Sequence, residues 1–397
     1  MPSFIYFVMH GGGIGHALGV YMSSTTGGIM KSTVYFADLR STHKENLVNK
    51  VGRLVQTAGL ATAVKPRDMV AVKLHFGEVG NTAFIRSVFV RKIVQLIKAE
   101  GAIPFLTDAN TLYAGTRSDA PSHLLTALQN GFSYASVDAP IIIADGLRGK
   151  SEVIVDIAQK NFQHVYVGAE IAQADAIISM AHFKGHELSG FGGTIKNLGM
   201  GCASRKGKLA QHSNLSPAVK QKKCIGCGDC VAHCSQKALS VVEEKAIMDT
   251  QKCIGCGECI LICAQEAIQI QWNQAVPVFM EKMVEYTMGV LKGKTGKTLF
   301  VNFITNVSPA CDCYPYNDAP IVRDIGFTAS IDPVAIDQAS ADLVNQETAV
   351  PGSCLTLNTG AGEDKFRGVY PEVDWPYQLE YAEKIGLGSR DYTLITL

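Results

Sequence analysis

The sequence has no apolar run long enough to cross a bilayer, a span that takes about 20 predominantly apolar residues. The expectation is therefore a soluble, cytoplasmic protein without a membrane span. It also has no net charge, 36 Lys+Arg being offset by 36 Asp+Glu. That balance argues against nucleic-acid coating and against strong electrostatic membrane binding. Met1 to Gly28 contains no Lys or Arg, so the positive region that opens a secretory signal is missing. Nucleotide fingerprints are missing too. Around Gly11-Gly12-Gly13-Ile14-Gly15-His16 the G-x-G-x-x-G register fails, because its third glycine would fall on Leu18 or His16. In Gly293-Lys-Thr-Gly-Lys-Thr298 the first glycine of a P-loop would fall on Leu291, and the segment lies between helix and strand in the wrong order. His186-Glu-Leu-Ser-Gly190 lacks the second histidine of a zinc-protease helix.

What the chain does have is size, apolar content and cysteine. Its 397 residues are enough for about two to three domains. Hydrophobic residues make up 47% and charged residues 18%, which excludes wholesale disorder. From residue 31 strand and helix patterns alternate. Thr33–Leu39, Asp68–Phe76, Ile103–Asp108, Pro140–Ala144, His164–Val167 and Ala176–His182 read as strands. Glu45–Leu60, Thr82–Glu100 and Ser122–Asn130 read as helices, the last two closed by Gly101 and Gly131. Short, nearly continuous apolar strands between helices predict an α/β fold whose mostly parallel sheet is covered on both faces. The pattern stops over residues 190–223 and resumes with a helix at Val278–Leu291, a strand at Thr298–Ile304, a helix capped by Asp332-Pro333 and a last strand at Tyr392–Leu397. The expected organisation is an α/β domain over 30–219 and 273–397, interrupted by a small α+β ferredoxin-like insert over 220–272. Residues 1–29 are expected to be a non-native or disordered extension.

Eight of the twelve cysteines lie between 224 and 263. Cys224, Cys227, Cys230 and Cys234 form one C-x-x-C-x-x-C-x-x-x-C block. Cys253, Cys256, Cys259 and Cys263 repeat it 29 residues later. In so large a chain this is metal-ligand spacing in a reducing cytosol rather than a disulfide framework. Three thiolates two residues apart can wrap one cubane on a tight loop, while the fourth cysteine, expected to begin a helix pointing away, reaches the other cluster. One [4Fe–4S] cluster is thus assigned to Cys224, Cys227, Cys230 and Cys263, the second to Cys253, Cys256, Cys259 and Cys234. Structural zinc fits the spacing less well, since it prefers two C-x-x-C knuckles separated by a longer loop. Gly226, Gly228, Gly255 and Gly257 would let backbone N–H groups approach the sulfurs, and Ala238–Val242 and Ala267–Gln271 would supply the matching strands. The block resembles the bacterial two-cluster ferredoxins, although Ser235 and Ala264 replace the proline that usually follows the fourth cysteine.

Weaker signals gather at predicted strand ends, where ligands bind in such sheets. Lys73 and His75, with Glu78 just beyond, end one strand, and Thr107 and Asp108 end another. His182, Lys184 and His186 end a third and share one face if extended. Lys73, His75, His182, Lys184 and His186 are the candidate catalytic residues, suited to a small anionic substrate, a cofactor phosphate or a metal. The glycine-rich stretch from Gly190, with Lys196, Arg205, Lys206 and Lys208, is either a phosphate cradle or a hinge. Cys202, Cys311, Cys313 and Cys354 are buried structural thiols, further metal ligands or redox thiols.

The combined pattern resembles a family of uncharacterised iron–sulfur-centre proteins, in which an α/β domain of unknown function carries a two-cluster ferredoxin insert. The resemblance covers residues 31–397. It rests on Lys73-Leu-His-Phe-Gly-Glu78, Thr107-Asp-Ala-Asn-Thr-Leu-Tyr113, His182-Phe-Lys-Gly-His186, Gly192-Gly-Thr-Ile-Lys-Asn197 and Cys311-Asp-Cys313. It implies cluster binding and electron transfer without naming a substrate. Three functions stay open: an electron relay between a soluble redox partner protein and a site in the α/β domain; a non-enzymatic carrier or scaffold docking to a partner reductase; and a non-redox enzyme with structural clusters. A flavin or an additional metal has no motif behind it.

Overall fold

In a computed structural model describing residues 31–397, apart from 114, 214–215, 254, 256 and 272–274, the alternating segments build an eight-stranded sheet. The expectation for residues 1–29 lies outside the described residues. The strands are β1 (Ser32–Asp38), β2 (Met69–Lys73), β3 (Ile103–Asp108), β4 (Ile141–Ile143), β5 (Ala176–His182), β6 (Thr298–Ile304), β7 (Gly326–Ser330) and β8 (Tyr392–Thr396). Their spatial order is β8-β1-β7-β6-β5-β2-β3-β4. Five of the seven pairings are parallel; the two antiparallel ones both involve β7, wedged between β1 and β6.

Period-two alternation sends side chains to opposite faces. Val70, Val72, Ile178, Met180, Leu299 and Val301 face one core with Val51, Leu54, Val90, Ile93 and Ile97 of the helices Leu47–Thr57 and Ser87–Ala99. The residues between them, Ala71, Ile177 and Phe300, face a second core with Leu198, Tyr286 and Ile336. Each such buried Val, Leu or Ile is worth roughly 1.5–3 kcal/mol of transfer free energy, so both faces are firmly covered. The helix Pro333–Asn345 starts as expected, with Asp332 Oδ1 accepting from the Val334 and Ala335 N–H groups at 2.8 and 3.0 Å. Among the described residues no helix is long and apolar enough to cross a membrane.

Two expectations need correction. His164–Gly168 does not join the sheet: it pairs antiparallel with Glu152–Asp156 as a separate hairpin, satisfying its backbone locally. Residues 190–212 are not featureless either. They contain the helices Thr194–Gly199 and Arg205–His212. The first is too short for periodicity to reveal, and tertiary contacts hold it: Asp337 accepts from Thr194 and Ile195 N–H at 2.7 and 2.9 Å. A Cβ on Gly193 would lie 2.3 Å from that carboxylate, so only glycine admits it.

The cysteine-rich segment shows the sequence repeat in its backbone. Short helices Asp229–Ala232 and Glu258–Ile262 pack together. Ala218–Val219 pairs with Ile268–Gln269, and Leu239–Val242 with Lys245–Met248. The fourth cysteine does not begin a helix as expected. The helix starts one residue before the third cysteine of each block, just after Gly228 or Gly257 in the left-handed region (φ +85° and +70°), and Cys234 and Cys263 follow its end.

Candidate functional site

Cys224, Cys227, Cys230 and Cys263 line one small cavity, together with Gly226, Gly228, Ala246 and Ala267. Three belong to the first block and one to the second. Backbone donors reach the sulfurs: Ala246 N–H to Cys224 Sγ at 3.2 Å and Ala267 N–H to Cys263 Sγ at 3.2 Å. The repeat-related bond runs from Ala238 N–H to Cys234 Sγ at 3.3 Å. Backbone donation from Ala246 and Gly226 lowers the Cys224 thiol. Burial raises Cys230, followed by the neighbouring charges of Cys263, Cys227 and Cys224. Of the other four, Cys259 is buried and Cys234 and Cys253 are half-buried; Cys256 lies outside the described residues. The chemistry and arrangement of the first set, four thiols around a shared space with N–H donors aimed at sulfur, fit a [4Fe–4S] cluster. No group of three or more His, Cys, Asp or Glu among the described residues is disposed to hold a single metal ion.

A second cavity, about 790 Å³, opens at the carboxyl ends of β2, β3, β5 and β6. That is where a parallel sheet places its ligands, and the volume suits a small organic molecule. Lys73, His75, Lys184 and His186 line it. His182 does not; it lies behind, its Nδ1 2.8 Å from Asp312 Oδ1 and its Nε2 2.9 Å from the Thr305 carbonyl oxygen. Lys73 Nζ is 3.0 Å from Asp108 Oδ1 and donates to Asn197 Oδ1 at 2.8 Å. Lys184 Nζ is 3.3 Å from Asp312 Oδ2. His75 Nδ1 accepts from Gly77 N–H at 3.0 Å, which puts its proton on Nε2. Burial pushes His75 and His186 well below the usual imidazole range, Arg117 adding to the effect at His75 and Lys196 at His186. Both are neutral at neutral pH.

Several lining groups were not singled out from sequence as catalytic. Arg117, fully buried, bonds Glu78 at 3.1 Å and donates to Tyr113 Oη at 2.8 Å. Lys196, Lys208, His212, Cys311 and Cys313 also face the cavity. Of the four basic residues in the glycine-rich stretch, only Lys196 and Lys208 do so. Arg205 is buried and braces a cysteine loop, while Lys206 Nζ lies 3.7 Å from the Tyr166 ring centroid. Lys208 Nζ donates to the Ala203 carbonyl at 2.6 Å. Burial lowers it to about 8 against the opposing pull of the Asp145 and Asp108 carboxylates. A buried ammonium on a cavity wall, favoured only from a distance by those two carboxylates, suits an anion.

The two regions meet. Arg205 Nη2 donates to the Gly257 carbonyl at 2.9 Å and the Leu112 carbonyl at 3.3 Å. Leu112 lines the cavity, and a Cβ on Gly257 would lie 3.1 Å from its Cδ1. Glu258, 3% exposed, bridges Arg148 and Lys150 at 2.9 and 3.0 Å. The second cysteine block is thereby fixed one side chain away from the cavity.

An α/β protein with a cavity at its strand ends and a duplicated cysteine segment clamped beside it is the class so defined. The chain belongs to the family described as a domain of unknown function (DUF362), whose model matches residues 70–342. No curated protein matches the chain. Among solved structures, the lactate racemase apoprotein from Thermoanaerobacterium thermosaccharolyticum is similar at 11% identity and TM-score 0.37, over 69% of this chain and 51% of that one. A protein from Thermotoga maritima is similar at 9% identity and TM-score 0.38, over 86% of this chain and 59% of that one. The chain thus spans between half and three fifths of the length of these structures.

Proposed function

We propose that this protein is an iron–sulfur electron-transfer protein. In this reading the segment 220–272 holds two [4Fe–4S] clusters and links a soluble redox partner to a small organic anion in the strand-end cavity. Cys224, Cys227, Cys230 and Cys263 hold one cluster; Cys234, Cys253, Cys256 and Cys259 hold the other. Bound clusters would supply reversible one-electron chemistry.

The observation that carries the reading is the sharing of one cavity by three thiols of the first block and one of the second. Exposed Ile225 and Cys227 leave the first block open to a partner, and the bracing of Gly257 by Arg205 favours the second block as the inner member. In the cavity Lys208 would take the anionic group. Lys73 and Arg117, neutralised by Asp108 and Glu78, would hold the walls. His75 would present Nε2–H as a donor.

An anaerobic redox titration of the reconstituted protein, followed by electron paramagnetic resonance, tests this. Two one-electron transitions within the biological window of about −700 to +450 mV are expected. Clusters that cannot be reduced anywhere in that window would overturn the relay.

A further inference from the structure

Cys311 and Cys313 both line the strand-end cavity, and Asp312 between them does not. Asp312 turns away, held by His182 and Lys184, and its carbonyl accepts from Glu78 N–H at 3.1 Å. This anchor aims the two cysteines into the space. Lys196 Nζ lies 3.2 Å from Cys311 Sγ, and Cys313 N–H donates to the same sulfur at 3.4 Å. The Cys313 side chain is the largest influence holding Cys311 well below a normal thiol; burial opposes it and Lys196 assists. The same contact raises Cys313.

Cys202 is the internal contrast. It too is fully buried, but outside the cavity, its Sγ 3.9 Å from the Asn197 carbonyl oxygen, and burial outweighs the charges of Lys73 and Lys208 and pushes its thiol up to about 12. A merely structural thiol resembles Cys202.

We propose that Cys311 and Cys313 are a redox-active dithiol that exchanges with a low-molecular-weight disulfide entering the cavity. The Cys311 thiolate attacks one sulfur of the incoming disulfide. An S–S bond forms to Cys311, the substrate S–S bond breaks, and the first substrate half leaves as thiolate. The Cys313 sulfur then attacks Cys311 and expels the second half, which departs with the Cys313 proton. The pair ends as an intramolecular disulfide, and the substrate is reduced by the same two electrons. Lys196 is a positioning residue: it stabilises the thiolate and so opposes oxidation. The site shares its cavity with the proposed electron-transfer function but needs no cluster to work.

The test uses the full chain, prepared anaerobically with its iron, in glutathione buffers of graded oxidised-to-reduced ratio. Acid quenching, alkylation and peptide mass spectrometry then count free thiols. The proposal expects Cys311 and Cys313 to lose both labels together in one two-electron transition, while Cys202 stays reduced. Cys313→Ser should trap glutathione on Cys311. Lys196→Gln should slow Cys311 alkylation at pH 7 about tenfold and move the midpoint about tenfold toward the disulfide. A pair that stays dithiol at every ratio, a Cys311 that alkylates no faster than Cys202, or labelling blocked until zinc is chelated would each overturn it. Iron is assayed on the same samples. Normal clusters with an inert pair reject only this inference; a cycling pair without iron rejects only the electron-transfer reading.

Discussion

Lys208→Met should make the ligand-free protein more stable at neutral pH. In the unfolded chain the lysine titrates at 10.5, and in the folded one at about 8 because burial disfavours the ammonium. Folding therefore weakens proton binding, at a cost of about 3 kcal/mol at pH 7. The substitution removes that cost but leaves the Ala203 carbonyl without its 2.6 Å donor, a loss of about 1 kcal/mol. The net expectation is a gain of about 2 kcal/mol. The pH dependence carries the sign. Below pH 8 both states bind the proton and the penalty is complete; between about 8 and 10.5 only the unfolded state does, so wild-type stability rises with pH. Above that interval the penalty is gone. Urea unfolding of wild type and variant at pH 7, 9 and 10.5, followed by circular dichroism, measures the gap. It should be widest at pH 7 and close toward pH 10.5. A variant less stable by 1 kcal/mol at pH 7, or a gap that ignores pH, would refute the claim that Lys208 is a buried cation awaiting an anion. Isothermal titration with small carboxylates should show the converse, at least tenfold weaker binding by the variant.

Asp312→Ala should cost about 3–5 kcal/mol in urea unfolding at pH 7, because it strands Lys184 and His182 in the interior. Burial alone would raise the Asp312 carboxyl, but His182 and Lys184 outweigh it and hold it far below the normal range. Its contribution is complete above the unfolded value of 3.8 and fades as pH falls below it. The wild-type advantage over the variant should therefore shrink in acid. Glu258→Gln should cost only about 1 kcal/mol, since its partners Arg148 and Lys150 are half exposed and screened. Hydrogen exchange should nonetheless quicken selectively around Gly255 to Glu258.

The alternation of strands and helices was legible because buried parallel strands such as Ala176–His182 are mostly apolar and glycines close two of the helices. β7 was not: Gly326–Ser330 is five residues with no strong pattern, and its place between β1 and β6 is a long-range choice. For the cysteines, an offset of 29 residues announced the repeat, while the bonds that Ala238 and Ala267 donate to Cys234 and Cys263 at that same offset are seen only in the fold. For the cavity, residues ending β2, β3 and β5 were legible as strand ends, and Lys196 and Lys208 as part of a basic, glycine-rich stretch, but Arg117 and His212 come from a loop and a short helix whose meeting depends on sheet order. His182 looked equivalent to Lys184 and His186, but its ring is held behind the cavity wall between Asp312 and the Thr305 carbonyl, whereas the other two side chains reach the cavity.

The central claim is that the two cysteine blocks exchange their fourth ligand. Electron paramagnetic resonance of reduced Cys230→Ser, Cys263→Ser and Cys234→Ser variants, with iron counted on each, addresses it directly. The account predicts that the serine variants at 230 and 263 perturb the same signal, that the one at 234 perturbs the other, and that wild type holds eight irons. Cys230→Ser and Cys234→Ser altering one common signal, or a wild type containing only zinc, would contradict it.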